Sequence, residues 1–127
     1  MTSQVWILLS EDGRCHAVSD MALRVSTELT KRVEQIGLLK GAKNALIVDN
    51  VSAECLLKVI QWSNTHTHAS PDNQALLNSD EIKFFKGMNS RDICKLGLAA
   101  KALGNKSLEN GCQKILLESN QSYYYFN

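Results

Sequence analysis

Apolar and polar residues change period along this chain, and the changes mark out its elements. Val5-Trp6-Ile7-Leu8-Leu9 is a compact apolar run rich in β-formers. Ser10-Glu11-Asp12-Gly13 follows, and Asp-Gly is a turn signal, so Arg14-Cys15-His16-Ala17-Val18 is predicted to return as an antiparallel strand. The period then becomes helical. Ala22, Val25, Leu29, Val33 and Ile36 form an i, i+3/i+4 stripe over 21–36, with Ser19 or Asp20 as cap and Gly37 as a left-handed stop. Residues 38–44 read as a loop. Ala45-Leu46-Ile47-Val48 is a short strand with no polar residue, which predicts burial on both faces or a place in a mixed sheet. Ser52 caps a helix running to about residue 64, in which Leu56, Val59 and Ile60 fall at i, i+3, i+4 and the small Ser63 at i+7. The mostly polar 66–78 stretch holds Pro71 and reads as an exposed loop.

The last third is helical in pattern. A short segment over 80–86 carries Phe84 and Phe85, and Asn89 with Asp92 resembles a capping box. The next helix, 90–103, sets Ile93, Leu96, Gly97, Ala100 and Leu103 on one face. Gly97 and Ala100 keep that face low, so a neighbouring element can approach closely. Gly104-Asn105 breaks it, and a final helix over 106–120 presents Leu108, Cys112, Ile115 and Leu116. Tyr123-Tyr124-Tyr125-Phe126 ends the chain as an aromatic tail that can dock on its own domain, drive self-association or stay disordered. No repeat of solenoid period is evident. Strands early and helices late point to an α+β fold.

Composition narrows the function classes. A chain of 127 residues is one domain with room for a core that needs no staples. A net charge of +1 and no basic cluster denser than Lys40 and Lys43 argue against nucleic acid as the main partner. Cys15, Cys55, Cys94 and Cys112 are widely spaced with no C-x-x-C, which argues against a zinc site and fits reduced thiols in an intracellular protein. No leader pattern is visible, and no apolar run is long enough to span a membrane.

Candidate chemistry is sparse. His66 and His68 form an H-x-H pair near Asp72, but no motif supplies a third metal ligand. Cys55 sits in the first turn after Ser52, where a helix N-terminus lowers a thiol pKa, yet no histidine is placed as its base. His16 reads as a half-exposed strand residue. Acidic pairs Glu11-Asp12 and Asp80-Glu81 occupy a turn and a helix start, where carboxylates are expected for local reasons. No phosphate-cradling, nucleophile-elbow or zincin motif is present. A non-enzymatic binding module with no cofactor and no metal is the expectation. The last two helices can be core alone or can offer a groove to a partner helix.

Several segments look like one family in order. Leu8-Leu9-Ser10-Glu11-Asp12-Gly13 resembles the L-x-S-x-D-G hairpin that opens Skp-type adaptors, the S-phase kinase-associated proteins of Skp–cullin–F-box (SCF) ubiquitin ligases. Asn50-Val51 followed by Leu57-Lys58-Val59-Ile60-Gln61-Trp62 is similar to that family's N-V … L-x-K-V-I-x-W segment. Phe84-Phe85-Lys86, the run from Leu96 to Leu103, and Asn105-Lys106-Ser107-Leu108 stand where F-L-K, L-I-L-A-A-N-Y-L and I-K-x-L are expected. Elongin C is a related resemblance, but the V-I-Q-W segment and the continuation past Leu103 favour the Skp type.

The resemblance implies a BTB/POZ fold over 1–120: a small three-stranded mixed sheet packed with five or six helices, followed by the tail at 121–127. It implies a non-catalytic adaptor that links F-box proteins to a cullin in the cytoplasm and nucleus. Leu103, Asn105, Leu108, Cys112, Ile115 and Leu116 would contact the F-box, and Lys101 and Ala102 the cullin. The family's Asn-Tyr pair is Lys101-Ala102 here, which removes a large amphipathic anchor of the kind that contributes roughly 2 kcal/mol or more to an interface. The family's C-terminal extension is replaced by the Tyr-rich end. The alternative is a structural or self-associating BTB-like subunit, such as a homodimer, that has lost cullin binding.

Overall fold

A computed structural model describes residues 4–37, 44–67 and 77–118. The expected loop at 38–44, most of the 66–78 loop, His68, Asp72 and the 121–127 tail therefore lie outside the described residues or nearly so.

Strand β1 (Val5–Leu9) pairs antiparallel with β2 (Cys15–Ser19), Ile7 opposite Ala17. Their turn is built by Ser10, whose hydroxyl donates to Asp12 at 2.7 Å and accepts from the Arg14 N–H at 3.1 Å. Gly13 closes it at φ 79°, a conformation that favours glycine. Strand β3 (Ala45–Ile47) runs parallel to β1, giving a mixed sheet ordered β2-β1-β3. Trp6, Leu8, Val18, Leu46 and Val48 are buried. Ala45 and Ile47 are exposed, so of the two expectations for this strand the mixed sheet holds and burial on both faces does not.

The helix expected over 21–36 is two helices, α1 (Asp20–Leu23) and α2 (Thr27–Gly37). After Leu23 the chain tightens, with Val25 N–H donating to Ala22 and Ser26 N–H to Leu23. The second helix then opens at Thr27, whose N–H and hydroxyl both reach the Gly104 carbonyl, at 3.2 and 3.3 Å. A tertiary bond across 77 residues sets this break, while the apolar stripe runs through it in phase. Ser19 is the cap of α1, accepting from Ala22 N–H.

Helix α3 (Ala53–Thr65) is capped by Ser52 and buries Leu56, Val59, Ile60, Trp62 and Ser63 against the sheet layer and α5. Asp12 from the hairpin accepts its first N–H, from Ala53, at 2.8 Å. The Ser10 hydroxyl, ahead of that backbone bond, holds the Asp12 carboxyl below its usual range. Helix α4 (Ser79–Phe85) carries the reciprocal capping box, between Asn78 and Glu81. Asn89 caps α5 (Ser90–Leu103) by accepting from Asp92 N–H at 2.8 Å. Helix α6 (Lys106–Glu118) packs along α5. Among the described residues the result is an α+β domain of one three-stranded mixed sheet and six helices.

Candidate functional site: the α5–α6 face

Helix α5 turns Ile93, Leu96, Ala99, Ala100 and Leu103 inward. Its end is sharp because Gly104 adopts φ 77°, and a Cβ there would also lie 2.1 Å from the Thr27 hydroxyl. The pair sits close at Gly97, where an added Cβ would stand 3.3 Å from Cys112 Cβ. Helix α6 is held against Trp62 at Gly111, where a Cβ would meet the indole at 2.8 Å.

Asn105 ties this joint to α3. It is fully buried, and its carbonyl oxygen accepts from the Leu108 N–H at 3.1 Å, so it caps α6. Its amide donates to Ser63 Oγ at 3.0 Å, and Ser63 donates to the Val59 carbonyl at 2.7 Å. Trp62 Nε1 donates to Ser107 Oγ at 2.9 Å, which in turn donates to Asn105 Oδ1 at 3.2 Å. The network is closed, so its burial leaves none of these side-chain groups orphaned.

Between α5 and α6 lies a groove of about 270 Å³, lined among others by Gly97, Leu98, Lys101, Cys112, Gln113 and Leu116. Leu98 is 69% exposed, and Leu117 on α6 is 71% exposed. The residues singled out from sequence divide around this groove. Leu103, Asn105 and Leu108 are buried in the molecule's own core and away from it. Cys112 and Leu116 form its floor but are almost fully buried, and Ile115 is half-buried against the core. Lys101 and Ala102 are exposed at the end of α5, with Lys101 on the groove wall. Leu98, Gln113 and Leu117 were not singled out. The signal for the two leucines is that they are large apolar residues off the inward stripes of their helices.

Cys112 offers no ready nucleophile at this groove, which Cys94 also lines. Burial pushes the Cys112 thiol up to about 12, with smaller contributions from Cys94, Cys55 and Glu109. Cys15 is exposed, and Cys55 and Cys94 are half-buried.

A second cluster lies at the end of α3. His66 stacks on Trp62 with centroids 3.9 Å apart. Its Nδ1 is 2.7 Å from the Trp62 carbonyl and 2.9 Å from the Thr65 hydroxyl, and its Nε2 is 2.7 Å from Glu81. Thr, His and Glu in a row superficially match a nucleophile, base and orienter. The carbonyl can only accept, so Nδ1 must carry a proton and donate; it has no lone pair for the threonine proton. The cluster is a joint between α3 and α4. Among the described residues no group of three or more metal-ligating side chains exists, and no helix is long and apolar enough to cross a membrane.

A family model described as Skp1 family, tetramerisation domain, matches residues 4–68, just over half of the chain. The matched span holds the sheet and α1 to α3. Comparison with curated proteins finds no match.

Proposed function

Because the chain belongs to the Skp1 family, whose members are non-catalytic adaptors, we propose that it links F-box substrate receptors to a cullin in an SCF-type ubiquitin ligase of the cytoplasm and nucleus. The observation that carries the reading is the α5–α6 groove, which pairs an apolar floor at Cys112 and Leu116 with the exposed Leu98. Such a surface suits the apolar stripe of a helix from an F-box domain. The F-box contact then falls on Leu98, Gln113 and Leu117, with Leu103, Asn105, Leu108 and Ile115 supporting it from within, and Lys101 and Ala102 at the end of α5 are left to the cullin. A recombinant F-box domain should bind the native chain, and Leu98→Asp should weaken it about tenfold or more without lowering the melting temperature. Equal binding by Leu98→Asp would defeat this placement.

A second reading has support from one position. Ala102 is exposed at the end of α5 and offers no aromatic anchor to a cullin. A structural or self-associating subunit outside the ligase fits that replacement, and it predicts a concentration-dependent dimer in sedimentation.

A further inference from the structure

The outer face of the sheet is apolar. Alternation along β1 sends Trp6 and Leu8 into the core and leaves Val5 49% and Ile7 36% exposed, with Leu9 half-buried. Register places Ile7 beside Ala17 on β2 and Ala45 on β3, and Leu9 beside Cys15 and Ile47. Ala17, Ala45 and Cys15 are exposed, and Ile47 is 63% exposed. A solvated sheet face ordinarily carries the polar half of the alternation. Here the outward positions of all three strands hold no charged side chain. Contiguous apolar surface of this kind marks an interaction site more often than isolated exposed leucines do.

Charge gives the face a direction. β1 and β3 are parallel, so Glu11 and Asp49, which follow them, stand at the same end. Both are exposed, and among the described residues neither has an ion pair. Asp12 is also there but is occupied by Ser10 and Ala53, and Arg14 stands at the start of β2. Among the described residues the opposite end carries Gln4, Ser19 and Asn44, with Asp20 already paired to Arg24.

Area decides between occupants. Two strands of five residues and one of three, at about 3.4 Å per residue and about 4.8 Å apart, give a face of roughly 200 Å² in projection. Two copies stacked on it would fall well below the roughly 1,200 Å² of a stable interface. A single helix matches the length of the face and can extend past it onto the acidic end. We propose that the outer face of the β2-β1-β3 sheet is a docking surface for an amphipathic helix of a partner protein. The helix lays an uncharged apolar stripe over Ile7 and Ile47 and sets basic residues against Glu11 and Asp49. This site is separate from the α5–α6 groove and does not depend on it.

The test uses the full chain and two labelled 18-residue helical peptides with the same leucine stripe. One carries two lysines at one end and the other two glutamates there; binding is read by fluorescence anisotropy. The lysine peptide should bind, and Ile47→Glu should weaken it about tenfold or more at an unchanged melting temperature. The glutamate peptide should bind about fivefold less well, and Glu11→Gln with Asp49→Asn should erase that difference. Leu98→Asp should leave binding unchanged. The proposal is overturned if the lysine peptide does not bind, or if Leu98→Asp rather than Ile47→Glu abolishes binding. It also fails if Ile47→Glu lowers stability, since the chain itself then covers the face. A dimer lost in Ile47→Glu would overturn it too, because a second copy is then the occupant.

Discussion

His16, half-buried, and Cys112, buried, each keep a polar atom away from solvent, with opposite consequences. His16 lies on β2 opposite Leu8, and its buried Nε2 has no hydrogen-bond partner among the described residues. An unsatisfied buried nitrogen costs about 1–3 kcal/mol, whereas an apolar ring of similar shape has no such penalty. His16→Phe should therefore raise stability by about 1 kcal/mol in urea unfolding. Cys112 behaves as a small apolar residue at neutral pH. Its thiol ionises at about 9 when unfolded and about 12 when folded. The unfolded state thus loses the proton first, and stability falls as pH rises from about 9 towards 12, approaching about 1.4 kcal/mol per unit above about pH 10. Chemical denaturation between pH 8.5 and 10.5 should show stability falling ever more steeply in the native chain than in Cys112→Ala, the two slopes parting towards that amount. That His16 is a half-exposed strand residue and that Cys112 lies on the apolar stripe of α6 were legible in the sequence, and both are found so. The orphaned ring nitrogen was not, because what faces it is set by other elements.

At the level of elements, local signals served well where one element's own residues decide, and failed where a distant residue does. The hairpin, the caps at Ser52 and Asn89 and the stripe of α3 follow from residues within a few positions of one another. The split of α1 from α2 does not, because Gly104 accepts from Thr27 across the fold. Asn105 is the clearest such case: as a sequence position it reads as a helix breaker, and in the fold it caps α6 and braces α3. Asn105→Ala removes the cap, worth about 1 kcal/mol. It also leaves the buried Ser63 and the half-buried Ser107 hydroxyls short of a partner, so a total loss of about 2–3 kcal/mol is expected by urea titration. Gly111→Ala tests packing at the same joint. The methyl would collide with Trp62 at 2.8 Å and should cost about 1–3 kcal/mol despite the better helix propensity of alanine.

For the whole molecule, the order of strands and helices and the Skp-type motifs made the α+β architecture readable before any coordinates. The candidate site was readable only as a pair of helices. Periodicity identifies the residues that face inward, and Leu103, Leu108 and Leu116 on those stripes turned out to be core. What is left outside on these two helices includes Leu98, Leu117 and Lys101, and the proposed F-box contact draws on that outer set. Bridging of an F-box protein to a cullin is tested most directly by reconstitution of three components. The chain, an F-box protein and a cullin N-terminal domain are mixed at micromolar concentration and resolved by size-exclusion chromatography with light scattering. One complex holding one copy of each is predicted, and Ala102→Tyr should strengthen cullin retention by restoring an aromatic anchor. An F-box complex from which the cullin separates cleanly, in the native chain and in Ala102→Tyr alike, would contradict the account.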